Sequence, residues 1–323
     1  MTERRALVER VTWGIAATVL VALLIVAVRR LDLARAVAEL GRAHLAWVLV
    51  AMLCYLAILP LWAVQWRILA PAGPRVTVSR MLRVVASTSS VLNTTPLLVG
   101  EASGVHFLST QAGVDRGSAV AVLAMDQLLV GLAKIAVVSA AAWTLPLPGV
   151  MRQGLHALIA GVGVLLVLMI VFMRTGSRTD RWLAAHLPVR LASALGRMRA
   201  GLAPLGSPSR GGAALLLALL KKGAELVAIL AIQRAFDVSL PPSSALLVLA
   251  ALNLATLLPL VPGNAGVYEA AVVLAYVHLG LSPERALSMA AVQHAVYFVA
   301  LALPGYRWLA RARPSPSAAA AAP

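Results

Sequence analysis

The chain has 323 residues, 61% of them hydrophobic and 12% charged, with a mean hydropathy of +0.88. That composition excludes a soluble domain and predicts an all-α, polytopic integral membrane bundle. The formal charge is +16, from 28 Lys and Arg against 12 Asp and Glu. Most arginines fall between apolar runs, which points to membrane topology and anionic headgroups and away from nucleic acid.

In chain order, the N-terminus carries basic residues and then an apolar run at about 11–28 with no small-residue cleavage site before Arg29 and Arg30. It reads as a retained first helix. Residues 29–43 follow as an amphipathic surface helix, with Leu33, Val37 and Leu40 on one face and Glu39 spaced to pair with Arg35 or Arg42. Further apolar runs lie near 45–64, 118–142, 154–173, 213–233 and 286–304. Tryptophans near their ends, Trp47, Trp62, Trp66, Trp143 and Trp308 among them, read as interfacial belt residues. Cys54 is the only cysteine, so disulfides within the chain and cysteine-based metal sites are excluded. The end, RARPSPSAAAAAP, is low-complexity. The expectation is one membrane domain over 1–310, with a disordered tail at 311–323.

The connection at 174–212 holds seven arginines and one acid, Asp180, and is expected on the cytoplasmic side, with both termini, in the cell inner (plasma) membrane. Two segments, about 84–115 and 245–283, then have to leave the membrane on the side they entered. Each is predicted to be a re-entrant hairpin, and the two enter from opposite faces.

These segments share a register. Asp126 and Gln127 lie 13 and 14 positions after Gly113, and Gln293 and His294 lie 13 and 14 after Gly280. Glu101 precedes the first glycine by 12 positions and Glu269 the second by 11, while AVQWR at 63–67 and AIQR at 231–234 stand upstream. The shared spacing predicts an inverted-topology duplication, with repeat 1 at about 45–142 and repeat 2 at about 213–304. A substrate site is then expected where the broken helices meet. Pro96 and Pro262 remove a backbone donor, and Gly100, Gly263 and Gly266 permit sharp turns. The half-helix N-termini beyond them offer N–H groups to an anion such as a lipid phosphate.

The candidate substrate-binding residues are Glu101, Glu269, Lys221, Lys222, Asp126, Gln127 and His294. A charge at mid-bilayer costs roughly 2.5–3.5 kcal/mol, so such groups face the bundle interior. Glu101 and Glu269 either cap the following half-helix or take part in headgroup recognition or proton carriage. Lys221 and Lys222 are both spaced to pair with Glu225, which leaves one lysine for Glu101, Glu269 or a phosphate. Lys134 reads as a snorkelling side chain. Gln127 and His294 also suit interhelical hydrogen bonding. No catalytic motif and no metal-ligand pattern appears, so neither an enzyme nor a cofactor is expected.

The second motif, LLPLVPGNAGVYEA, resembles the P-G-G-x-G-x-x-E signature of the lysylphosphatidylglycerol synthase transmembrane region, the flippase-like domain family, and TTPLLVGEA resembles its P-x-x-x-G-E segment. The resemblance covers about 10–310 and implies some eight spanning or re-entrant elements that move an aminoacylated phosphatidylglycerol between leaflets. It also implies the flippase-like half alone, without the aminoacyl-transferase domain. Membrane phospholipids, and a separate lipid-modifying enzyme, are then the expected partners. The motif match points to Pro96, Gly100, Glu101, Pro262, Gly263, Gly266 and Glu269. Asn264 departs from the second glycine of the signature, and Gln127 and His294 stand where relatives often have arginine. Two other readings remain open from the residues: a membrane enzyme or enzyme subunit acting on a lipid-linked substrate, and an ion-coupled small-solute transporter.

Overall fold

The computed structural model describes residues 33–95, 98–174, 188–257 and 261–311. The run at 11–28, Pro96, Asp180 and the tail beyond Arg311 lie outside them. All described regular structure is helical: α1 (Leu33–Leu40), α2 (Leu45–Leu69), α3 (Val78–Thr94), α4 (Leu98–Ala112), α5 (Arg116–Thr144), α6 (Gly149–Arg174), α7 (Val189–Gly201), α8 (Ala203–Gly206), α9 (Pro208–Ala235), α10 (Ser243–Ala255), a 3-10 turn (Pro262–Asn264), α11 (Val267–His278) and α12 (Pro283–Arg311). Among the described residues, α2, α5, α6 and α12 are long and apolar enough to cross a membrane. Helix α9 is as long, but Lys221, Lys222 and Glu225 interrupt its apolar sequence. The chain is a multi-pass membrane protein.

The helices follow the expected runs, and the chemistry at their ends explains why. Thr95 is extended (φ −124, ψ 147), as the residue before a proline prefers, so α3 stops there. Gly113 (φ 69) and Gly280 (φ 90), the two register glycines, lie in the left-handed region just past α4 and α11, where glycine closes a helix without strain. Asp115 starts α5 by accepting from the N–H groups of Gly117 and Ser118 at 3.0 and 3.1 Å. It also takes the Arg197 guanidinium of α7 at 3.1 Å.

Partial burial acts to raise the Asp115 carboxyl pKa, but the Ser118 and Gly117 bonds and Arg197 outweigh it and hold it below its ordinary value. The ionised form therefore favours the fold. Its contribution is present above the unfolded value of 3.8 and is lost as pH falls through the lower folded value. Asp115→Ala is expected to cost about 1 kcal/mol at neutral pH, the usual worth of an N-cap. Denaturant unfolding in detergent at falling pH should show that difference shrinking.

Helix α3 is unusual for a bundle interior. Ser87, Thr88, Ser89, Ser90 and Asn93 are all buried. Thr88 donates to the Val84 carbonyl and Asn93 to the Ser89 carbonyl, one turn back along the same helix, while the Ser87 hydroxyl has no hydrogen-bond partner among the described residues. Helix α4 folds back on it: Gly100 lies against Leu92, and Gly104 against Thr88. These contacts make α3 and α4 an antiparallel hairpin.

Two sets of helices make corresponding contacts. Helix α2 lies along α9; α3 packs on α4 and α12, and α10 on α11 and α5. The contacts of α2 with α3 and α12 correspond to those of α9 with α10 and α5. Helix α6 stays at the periphery, with Val164, Val167 and Leu168 exposed on the lipid-facing side. Helix α1 meets the start of α12, where Glu39 holds Arg42 at 3.0 Å and Arg285 at 4.0 Å, and its Val37 and Leu40 remain exposed.

Trp143, 93% exposed, and Trp47, 44% exposed, are open at the surface, as the belt reading requires. It is corrected for two others. Trp66 is 1% exposed, edge-on to Trp62 at 5.4 Å, and Trp62 is turned inward onto Asp126. Both sit late in α2, on its inward face, Trp62 beside Lys221 of α9 and Trp66 beside Gly104 of α4.

Candidate functional site

A cavity of about 280 Å³ opens among these helices. Its walls come from α2, α3, α5, α9, α10 and α12, with Glu101 of α4 and Tyr268 of α11 at the break regions. Six charged side chains line it: Lys134, Lys221 and Lys222 against Glu101, Asp126 and Glu225.

Their pairing is specific. Lys222 Nζ donates to both Glu225 oxygens at 2.8 Å. Lys221 Nζ is 3.7 Å from Asp126 Oδ1, with the two side chains 8% and 5% exposed. Trp62 Nε1 donates to Asp126 Oδ2 at 3.0 Å, and the Lys221 ammonium lies 5.3 Å from the Trp62 ring centroid. That geometry joins an ion pair, an indole donor and a cation–π contact across three helices. Charges this close attract by about 4 kcal/mol at an effective dielectric near 20, which offsets part of their desolvation.

Two charged groups are left. Lys134 lines the cavity with no hydrogen bond or ion pair among the described residues. Glu101 accepts from the neutral Gln127 amide at 2.8 Å. The cavity thus presents an uncommitted ammonium and a carboxylate held only by an amide. A phosphate complements the first, and a hydroxyl or an ammonium the second.

The second break is arranged differently. Gly263 (φ 60), Asn264 (φ 53) and Gly266 (φ 80) all take left-handed backbone. Asparagine is the next-best residue after glycine there, so Asn264 can stand in for the second glycine of the signature. Pro262 opens this 3-10 turn. Glu269 Oε2 accepts the Gly266 N–H at 2.7 Å, capping α11 in the manner of an N3 glutamate. Its Oε1 lies 2.7 Å from His294 Nδ1, and His294 Nε2 lies 2.9 Å from the Gly263 carbonyl. The imidazole stacks on Tyr268 with centroids 4.3 Å apart.

Of the residues singled out in the sequence, Glu101, Asp126, Gln127, Lys221 and Lys222 line the cavity. Glu269 and His294 instead form a pair of their own behind Tyr268. The register positions prove to be partners: Gln127 bonds Glu101, and His294 bonds Glu269. Gly100 packs its backbone against Leu92, while Pro96 is outside the described residues. Lysine pairing is also resolved. Lys222 takes Glu225, and the remaining Lys221 meets Asp126 rather than Glu101 or Glu269.

Sequence reasoning assigned no site role to Lys134, Trp62, Glu225, Asn93 or the tyrosines Tyr55, Tyr268 and Tyr297, all of which line the cavity. For Lys134 a signal existed: it lies eight residues after Asp126, on the same face of α5. Among the described residues no cluster of three metal-ligating side chains occurs.

The family model for the lysylphosphatidylglycerol synthase TM region matches residues 11–305. No curated protein matches the sequence.

Proposed function

This chain belongs to the lysylphosphatidylglycerol synthase TM region family, and we propose that it is a lipid flippase that carries an anionic or modified phospholipid headgroup through the cavity between its two halves. Membership in that family supports lipid handling. The observation that carries the finer reading is the cavity's uncommitted cation, Lys134, facing a space bounded by both broken segments. A headgroup phosphate would meet Lys134, with Glu101 and Gln127 ordering its polar remainder, while the acyl chains stay in the bilayer.

The matched contacts of α2–α5 with those of α9–α12 support an inverted-topology duplication whose hairpins dip into the membrane from opposite faces. Rocking of one half against the other then presents the cavity to alternate leaflets. With both termini cytoplasmic, the arginine-rich loops lie on the inner side of the plasma membrane. Glu101, which bonds Gln127, and Glu269, which caps α11 and bonds His294, hold equivalent positions in the two halves.

Reconstitution into liposomes with headgroup-labelled phosphatidylglycerol, followed by quenching of the outer leaflet, tests the reading. The wild-type protein should equilibrate label between leaflets, and Glu101→Gln combined with Glu269→Gln should slow this by about tenfold or more, the scale of one lost charge-assisted bond. Equal rates for wild type and the double variant would sink the site assignment.

A further inference from the structure

The hydrogen bonds around His294 require a proton that a neutral histidine cannot supply. Its Nδ1 faces a carboxylate oxygen of Glu269 and its Nε2 faces the Gly263 carbonyl, at 2.7 and 2.9 Å. Both partners are acceptors. A neutral imidazole has one N–H, so one contact would set lone pair against lone pair. The pair is therefore held together by an additional proton, on the imidazole as imidazolium or on the carboxyl. Glu269 also accepts the Gly266 N–H at the start of α11. That bond and the helix N-terminus favour the carboxylate, which places the proton on His294.

We propose that the Glu269–His294 pair is a proton-binding site whose loading and release are coupled to opening of the second half, so that lipid movement is accompanied by proton movement. The proposal rests on the flippase reading above. The equivalent pair of the first half, Glu101 and Gln127, has no titratable imidazole, and it lines the open cavity with Gln127 exposed. In the second half His294 is 8% exposed and sits behind the Tyr268 ring. The two halves thus differ at the partner of the glutamate: Gln127 is exposed, whereas His294 is buried and carries the proton.

The chemistry of release is a deprotonation and nothing more. If the Nε2 proton leaves to water, the Gly263 carbonyl faces a lone pair and its contact with α12 is lost. That contact ties the left-handed turn at Pro262–Asn264 to α12. The same turn is wedged between α3 and α12: a side chain at Gly263 would come within 3.0 Å of the Asn93 carbonyl and 3.4 Å of Phe298. Freeing it loosens the Pro262–Asn264 turn at the start of α11, whose movement away from α12 opens the second half. Re-closure takes a proton from the side then exposed.

Few competing charges face the pair. From α11 and α12 come Tyr268 and Tyr297, whose ring lies 6.3 Å from that of His294, and from α2 comes Tyr55, 3.5 Å from the Tyr268 hydroxyl. The charged groups on α9 nearest these tyrosines are Glu225 and its partner Lys222. Helix α3 presents the neutral Asn93 at the turn, α10 presents Asn253 to the cavity, and from α1 Glu39 reaches Arg285 at the start of α12.

The test uses the full chain in liposomes holding labelled phosphatidylglycerol and an internal pH dye. An imposed pH gradient should change the wild-type translocation rate several-fold, with dye-reported proton movement that depends on the lipid. In His294→Gln, which repeats the Gln127 of the first half, the rate should stop responding to the gradient. An unchanged response in His294→Gln overturns the proposal. Wild-type translocation with no gradient response and no proton flux overturns it while leaving the flippase reading intact.

Absence of any wild-type translocation sinks that reading, and the proton site is then decided by ring-nitrogen NMR of histidine-labelled wild-type protein. The resonance that shifts on Glu269→Gln belongs to His294. Both of its ring nitrogens protonated near neutral pH supports the site, and one bare nitrogen with a carboxylate Glu269 overturns it. This measurement needs no His294 variant to fold.

Discussion

Gly305→Leu is expected to prevent the protein from accumulating as a folded, monodisperse species in detergent. At Gly305 helix α12 touches α3 backbone to backbone. Any side chain there would overlap the carbonyl of Ala86 and the hydroxyl of Ser90. Neither can withdraw. Ala86 is 0% exposed, and α3 is pinned by α4 on one side and α2 on another. The crossing is also stitched by polar bonds, from Ser90 Oγ to the Ala302 carbonyl and from the Tyr306 hydroxyl to Thr94 Oγ1.

Overpacking a close interface costs about 1–3 kcal/mol when neighbours can shift, and more when the obstacle is backbone. In a bilayer such small-residue crossings are the main source of helix association, since lipid supplies no hydrophobic drive between helices. Gly161→Leu and Gly163→Leu are the controls, because a side chain at either position meets open space. Size-exclusion profiles and thermal midpoints of the three variants check the expectation. A Gly305→Leu protein with the wild-type profile and midpoint would show that α3 and α12 do not approach this closely.

Gly305 also shows where sequence reading stops. The apolar runs at 45–64, 118–142 and 286–304 were legible because a spanning helix has to be apolar over its length, and α2, α5 and α12 follow them. The register of Gly113 and Gly280 was legible because helix ends with left-handed backbone favour glycine, and both residues adopt it. The closeness of α12 to α3 was not legible, since a glycine within an apolar helix looks the same whether it meets a backbone or lipid. Trp62 illustrates the same limit. Near the end of a run it fits a membrane interface, and only the arrival of α5, 64 positions along the chain, gives its indole the Asp126 carboxylate.

The lysines on α9 were legible as to type of partner but not as to which. Both spacings to Glu225 are compatible with a helix, and the choice of Lys222 depends on Asp126 of α5 standing where Lys221 emerges. Asn264 was read as a departure from the family signature and proves compatible with it, because the position requires a left-handed backbone rather than glycine itself.

The buried pair Lys221–Asp126 yields the last expectation, and it separates structure from function. Asp126→Asn keeps an oxygen to accept from Trp62 Nε1 but leaves the Lys221 ammonium, 8% exposed on its side chain, without its counter-charge. Lys221→Met leaves the carboxylate with only the indole. Removing one partner of a buried ion pair costs about 3–5 kcal/mol, because the survivor stays desolvated and uncompensated. Each single variant should therefore unfold far more readily than wild type.

The double variant, Asp126→Asn with Lys221→Met, buries no net charge at that point and should regain most of the loss, so that it costs less than either single variant and the double-mutant cycle shows strong coupling. Lipid translocation need not follow stability. If the pair only braces α5 against α9, the stable double variant should move labelled lipid at the wild-type rate. If the pair orders the headgroup beside Lys134, translocation should stay low in the double variant although the fold has returned. Single variants that lose less than about 1 kcal/mol would mean that water in the cavity already solvates both charges, as for an exposed pair. The cavity interior would then be wetter than the burial of Lys221 and Asp126 implies.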